Sequence, residues 1–291
     1  MRTSPHQIEA FTYAARERSF SKAAKALGIS QSAVTQHIGN LERAMGVQLF
    51  VRRRTGLELT KPAQDLYLLS DRMCTAEQLV AEQIESYGAL GTGYLKIIAN
   101  APSPALPLIT QFSHRYPDVR ISFTLCSWTI AMERVKQRDI DVAIITNPGS
   151  VESIYTLELV RSKYMAYLRN DHPLAERKSL SLKLLQNLPV IVPEEGSLTQ
   201  RILKESLQRS KIKLNRVIEM STFPMVKEAV LHGAGIGILL DRSFYPSRQI
   251  AMRSISELSE VFRTFLVAPA DKCDLRLVRS FIDIAEEQVA S

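Results

Sequence analysis

Cysteine is scarce in this 291-residue chain and widely spaced: Cys74, Cys126 and Cys273 form no CxxC pair. That sets aside a disulfide framework and predicts reduced thiols in a cytoplasmic protein. Long apolar runs are missing too. No stretch approaches the ~18 consecutive apolar residues of a membrane span. Residues Met1 to Gln7 lead into an amphipathic helix with no apolar core of a secretory signal. The five histidines (His6, His37, His114, His172 and His232) show no ligand spacing, so no metal is expected. A GxSxG elbow, an HExxH helix and a P-loop are all absent. The segment "HGAGIG", His232 to Gly237, superficially satisfies a phosphate-loop pattern. A dinucleotide fingerprint, however, follows a strand and opens a helix, whereas these glycines follow a helical pattern and precede an extended one. They read as a helix C-cap and close-packing turn. No nucleophile–base set emerges, which points to a protein without catalysis and without a cofactor.

What is present is a chain that is 45% hydrophobic, enough for a real core and for two domains. Its net charge of +7 is unevenly placed. Residues 1–61 carry ten Lys/Arg against four Asp/Glu, and residues 62–291 carry 27 against 26. A basic excess gathered on one small unit favours a polyanion partner.

That unit opens with a helix around Ser4 to Arg16, its inner face made by Ile8, Phe11, Ala14 and Ala15. In "SFSKAAKALGISQSAVTQHIGNLE" (Ser19 to Glu42) a second helical pattern breaks at Leu27-Gly28-Ile29 and restarts at once. Gly inside a helix costs about 1 kcal/mol relative to Ala, so the break separates two helices. Ser30 sits where an N-cap belongs, and Val34, Ile38, Leu41 and Met45 form the apolar face of the restarted helix. Two short helices around a tight Gly turn make a helix-turn-helix, although the pattern alone also fits a plain helical hairpin.

The surroundings bear on that choice. In "GVQLFVRRRTGLELT" (Gly46 to Thr60), Val47, Leu49 and Phe50 read as an extended segment, Arg52-Arg53-Arg54-Thr55-Gly56 as a tip, and Leu57 and Leu59 as the return strand. An arginine-tipped hairpin beside a helix-turn-helix is a winged helix, the plainer reading of the tip being a solvated loop. From Pro62 to about Tyr87 one long helix follows, a rod of about 39 Å. Leu66, Leu69, Met73, Ala76, Val80 and Gln83 recur along it at 3-4-3-4-3 spacing. So narrow an apolar stripe predicts pairing with a second copy, the competing arrangement being packing on its own domain. Gly88, Gly91 and Gly93 end the rod as a hinge. Beyond Tyr94, strand and helix patterns alternate to the end of the chain, giving an α/β architecture with mostly parallel sheets.

"IEAF...A...SFSKAAKALGISQSAVTQHIGNLERAMGVQLFVRR...LTKPA", with "LPLITQF..RYPDV", "R.IDVAII" and "MVKEAVLHGAGIGIL" further on, resembles the LysR-type transcriptional regulators. The resemblance is strongest from Ile8 to Ala63 and continues weakly to the C-terminus. It implies an N-terminal helix-rich winged helix-turn-helix (1–61), a dimerising linker helix and hinge (62–92), and an α/β effector domain (93–291). That domain would resemble type II periplasmic binding proteins. Its first lobe would take about 93–161 and 267–291, its second about 162–266, with a ligand cleft between. The resemblance also implies homotetramers, as dimers of dimers, on double-stranded promoter DNA, switched by a small-molecule effector and touching RNA polymerase if they activate. The chain departs from the family at Ser32, where Pro is frequent, and at Arg53-Arg54, where Thr-Gly is commoner.

From the residues themselves, the helix that starts near Gln31 should enter the major groove first turn leading. Gln31, Ser32, Thr35 and Gln36 lie on its open side. Gln bonds bidentately to adenine, and Ser and Thr serve bases or phosphates. Arg52, Arg53 and Arg54 suit phosphates or a narrow minor groove, and Ser21, Lys22 and Lys25 suit the backbone. In the α/β half, Ala101-Pro102-Ser103, Gly196-Ser197-Leu198-Thr199 and Ser221-Thr222-Phe223 each open a helix after a strand, and Thr146 ends another strand at the same rim. Helix N-termini favour an anion, most simply a carboxylate. Ser103, Thr146, Ser197, Thr199 and Thr222 are the candidate ligand contacts, each alone equally well a plain cap. Leu66, Leu69, Met73 and Val80 are the candidate dimer seam.

Overall fold

The computed structural model describes residues 3–53, 56–84, 93–100, 102–243 and 247–290. The chain forms two compact units, the first built on Met1–Gly88 and the second on nearly all the rest.

The first unit runs α1 (Pro5–Glu17), α2 (Phe20–Leu27), α3 (Gln31–Met45), β1 (Phe50–Arg53), β2 (Gly56–Leu59) and α4 (Lys61–Ile84). Its local signals act where the residues place them. Ser19 caps α2 by accepting the Lys22 N–H at 3.3 Å, and Ser30 caps α3 by accepting that of Ala33 at 3.1 Å. Between them Gly28 ends α2 with φ +66°, a left-handed conformation that other residues adopt only under strain. Ala14, Ala23, Ala24, Val34 and Ile38 close one core cluster, and Phe11, Leu41, Leu49, Ala63 and Tyr67 close another. The wing strand begins at Phe50, later than the apolar residue Val47 suggested. The cause is Glu42 on α3, whose Oε1 accepts the Leu49 N–H at 2.7 Å and that of Phe50 at 3.4 Å. The Phe50 ring then lies against Phe11 and Phe20 at 5.6 and 5.3 Å between centroids.

The second unit holds two sheets. The first combines β3 (Gly93–Ala99), β4 (Val119–Leu125), β5 (Val142–Thr146), β6 (Ile154–Ser162) and β13 (Phe262–Pro269) in the order β4-β3-β5-β13-β6. Helices α5 (Ala105–Arg115), α6 (Trp128–Lys136) and α10 (Arg276–Ala290) belong to it in sequence and contact. The second sheet combines β7 (Tyr164–Arg169), β8 (Ser179–Leu180), β9 (Pro189–Pro193), β10 (Arg216–Met220), β11 (Ile236–Leu240) and β12 (Ile250–Ile255) in the order β10-β9-β11-β7-β12-β8. Short α7 (Leu182–Leu185) and helices α8 (Leu198–Ser210) and α9 (Phe223–Leu231) accompany it.

Both sheets are mixed, with parallel and antiparallel pairs side by side. β3 pairs parallel with β4 and β5, and β9 parallel with β10 and β11, but β13 and β7 pair antiparallel with their long neighbours. The antiparallel strands arise where the chain changes sheets, at Lys163 and again between Ile255 and Phe262. β13 joins the first sheet from Phe262, so the return crossing comes earlier than residue 266. Gly235 sits between α9 and β11, where an added Cβ would lie 2.5 Å from the Pro189 carbonyl oxygen. The glycines of "HGAGIG" thus serve a tight helix-to-strand turn.

Candidate functional site

On α3 the buried stripe of Val34, Ile38 and Leu41 faces the core, which leaves Gln31, Ser32, Thr35 and Gln36 exposed together on the opposite side. The Ser32 hydroxyl lies 2.8 Å from that of Ser30, which carries the cap. Thr35 donates its hydroxyl proton to the Gln31 carbonyl at 2.9 Å, so its lone pairs and methyl group remain for a partner. Ser21, Lys22 and Lys25 are exposed on α2. Arg52 and Arg53 lie on β1, their side chains outside the described set, and Arg54 falls outside the described residues.

Helix α4 has two unlike faces. Ala63, Tyr67, Ser70, Asp71 and Cys74 are buried, and Arg16 of α1 donates to the fully buried Asp71 carboxylate at 2.7–2.8 Å. On the other face Leu69 is 66% exposed, Met73 38% and Val80 60%. Leu66 is half-buried and packs partly into the cluster of Ala63 and Tyr67. The hinge glycines Gly88 and Gly91 lie outside the described residues.

In the second unit a cavity of about 30 Å³ opens where strand ends of both sheets meet the first turns of α6, α8 and α9. Thr146, Ser197, Thr199 and Thr222 all line it. Their roles differ. Ser197 caps α8, accepting the Gln200 N–H at 3.2 Å. Thr146 is a strut: its hydroxyl pairs with that of Thr264 at 2.8 Å, its N–H donates to Asn100 at 3.0 Å, and its carbonyl accepts from the Trp128 indole at 2.9 Å. Thr222 precedes α9 without capping it, so its hydroxyl is not engaged by that helix.

Ser103 is not with them. α5 starts at Ala105 with Pro104 at its N-cap, and Ser103 lines a separate hollow with Pro107, Leu108, Leu159, Val160 and Arg242. The cleft positions expected near it belong to Asn100 and to Ser127, whose hydroxyl accepts the Ile130 N–H at 3.4 Å at the start of α6. Ser127 had a readable signal, since it is a serine directly after a strand. Asn100, Trp128, Tyr164 and Glu194 carried none, because only the tertiary fold brings them here.

The cavity wall is mainly apolar with hydroxyl, amide and carboxyl groups set into it, and it carries no Lys, Arg or His among the described residues. Burial pushes the Cys126 thiol up and the Tyr164 phenol up, so both stay protonated at neutral pH. Thr199, beside Tyr164, opposes the phenol's rise. Burial, with some help from Glu219, also raises the Glu194 carboxyl. Beside the lining residues Trp128 and Ser197, Thr129 of α6 donates to the Gly196 carbonyl at 2.9 Å. The Arg201 guanidinium of α8 stands 4.2 Å from the Trp128 ring centroid, a cation–π contact between elements of the two lobes.

Residues 5–64 match the bacterial regulatory helix-turn-helix family of LysR proteins, and residues 91–290 match the LysR substrate binding domain family. The chain belongs to the LysR family. It is therefore a ligand-responsive, DNA-binding transcriptional regulator. Relatives of this LysR regulator include the transcriptional activator CmpR of Synechocystis sp., 29% identical over 80% of this chain and 78% of its own. A probable nitrogen assimilation transcriptional activator of Synechococcus elongatus is 23% identical over 98% of this chain and 95% of its own. Full-length OxyR from Pseudomonas aeruginosa has the same fold, with a TM-score of 0.78 at 20% identity over 98% of this chain and 95% of that one. Among the described residues of the LysR regulator, no helix is long and apolar enough to cross a membrane, and no group of three or more His, Cys, Asp or Glu could hold a metal ion.

Proposed function

We propose that α3 enters the major groove of promoter DNA with Gln31, Ser32, Thr35 and Gln36 toward the base edges, while Ser21, Lys22 and the wing residues Arg52, Arg53 and Arg54 hold phosphates or the minor groove. The observation that carries this reading is the set of four exposed polar side chains opposite a fully buried apolar stripe. The exposed Leu69, Met73 and Val80, with half-buried Leu66, pair α4 with a second copy, and two dimers assemble on one promoter in the cytoplasm, touching RNA polymerase where the regulator activates. The effector is a small acid. Its carboxylate sits among Ser197, Thr199 and Thr222, where the first-turn N–H groups of α8 and α9 have no intrahelical partners.

The test is a mobility shift on duplexes selected from a random pool, with and without a panel of small carboxylic acids. Arg53→Ala should weaken binding to every duplex and flatten its salt dependence, whereas Gln31→Ala should narrow the gap between selected and scrambled duplexes. Equal losses on all sequences from both changes would overturn the division of roles. A footprint indifferent to every small acid would overturn the effector reading.

A further inference from the structure

Oε2 of Glu194 is buried in the cleft without a hydrogen-bond partner among the described residues, and the Tyr164 hydroxyl makes no hydrogen bond of good geometry, its one side-chain interaction being with Thr199. Tyr164 is 1% exposed, lines the cavity, and stands beside Thr199 at the start of α8. Buried polar groups are nearly always paired, and an orphan in a cavity wall marks a place where something else supplies the bond. The two groups ask for opposite chemistry. A neutral phenol next to the open N–H groups of α8 offers donors, which suit a carboxylate. A carboxylate oxygen offers only an acceptor, which suits a cation or a strong donor. Glu219 cannot answer it: its oxygens already accept from the Glu195 N–H at 3.2 Å and from the Gln200 side chain at 2.8 Å. No cationic side chain lines the wall to answer Glu194 either.

We propose that the effector is a compact α-amino acid, its carboxylate held by the Tyr164 hydroxyl, Thr199 and the first turn of α8, and its ammonium held by Glu194. Glu194 directly follows β9 and Thr199 lies in the first turn of α8, and both line the same cavity. A small side chain suits the cavity, whose space of about 30 Å³ is bounded by Leu125, Trp128, Phe223 and Leu240. Even a small amino acid exceeds that space, so the cleft widens to admit it.

This inference rests on the small-acid reading of the same cleft, and matched ligands separate the two. Isothermal titration of the full-length regulator with the proteinogenic L-amino acids should find a binder among the small ones. Its analogue with hydrogen in place of the α-amino group should bind more weakly, on the order of ten-fold or more. Glu194→Gln should remove that preference, because an amide cannot neutralise an ammonium, while Tyr164→Phe should weaken amino acid and analogue alike. Circular dichroism and DNA affinity without ligand report whether either variant is folded, and the matched pair on the unchanged protein decides the matter if one is not. If the plain acids bind as well as the amino acids, or if Glu194→Gln leaves amino-acid affinity intact, Glu194 faces no ammonium. The inference then falls while the small-acid reading stands. If no amino acid binds, it falls as well.

Discussion

Replacing Leu69 with alanine tests whether α4 dimerises the regulator. Leu69 is 66% exposed, although the helix offers it an apolar stripe with Met73 and Val80. Full burial of a leucine is worth about 1.5–3 kcal/mol. The exposed two thirds of this one therefore leaves roughly 1–2 kcal/mol for a partner helix to recover. In a two-fold dimer the side chain occurs twice, so the truncation should weaken association by about 2–4 kcal/mol, roughly 30- to 1000-fold in dissociation constant. Leu69→Asp should do more, because a carboxylate would then be desolvated in the seam. Sedimentation equilibrium over a concentration series measures the dissociation constant directly, and circular dichroism confirms that α4 persists. The alanine change should also weaken DNA binding, since each half-site loses its tethered neighbour. A dissociation constant unchanged by both substitutions would refute the reasoning and assign the stripe to some other surface.

Further outcomes follow from the same geometry. Ser30→Ala should lower stability by about 1 kcal/mol through loss of the Ala33 cap, and speed amide exchange in the first turn of α3. Glu42→Ala should leave the Leu49 N–H without its acceptor, for a loss of about 1–3 kcal/mol read as a lower urea midpoint, with the start of the wing loosened. Replacing Lys272, buried and donating to the Ile140 carbonyl at 3.0 Å beside the half-buried Asp141, with Met should weaken the fold: loss of the donor leaves the carbonyl unpaired at a cost of about 1–3 kcal/mol, seen in thermal unfolding. The Glu194 carboxyl holds its proton more tightly folded than unfolded. Its contribution therefore favours the fold at low pH and is lost as pH rises through the ordinary carboxylate range toward the raised folded value. Glu194→Gln should accordingly raise the melting temperature of the ligand-free regulator at neutral pH, and the gain should shrink in acid. A gain that grew in acid would reverse the sign of the argument.

How much of this was legible in the sequence depended on distance along the chain. Ser19, Gly28 and Ser30 act within four residues of themselves, so the two helices and their turn could be read directly. The start of the wing could not, because Glu42 sets it across seven residues through a side chain. Two strands that the sequence did not show, β6 and β12, flank the chain's changes of sheet, where pairing with β13 and β7, distant or across the crossing, selects the extended form. In the cleft, Ser103 was expected beside the other candidates, but Pro104 takes the N-cap of α5 and Ser103 lines a separate hollow, while Ser127 follows β4 at the start of α6 and lines the cavity. Thr146 was placed at the rim, yet its pairing with Thr264, far away in sequence, makes it a support. Tyr164 and Glu194 belong to strand ends that look like any others until the two sheets are folded.

The exposed face of α3 bears the central claim, and fluorescence anisotropy of the full-length regulator on a selected operator and on its scrambled duplex addresses it most directly. A bidentate glutamine–adenine pair is worth about 1–3 kcal/mol of discrimination. Gln31→Ala or Gln36→Ala should therefore cut the ratio of the two affinities by roughly 5- to 150-fold while scrambled-duplex binding stays near its starting value. A ratio unchanged in both variants, with the folded state intact, would contradict the assignment of α3 as the element that reads the bases.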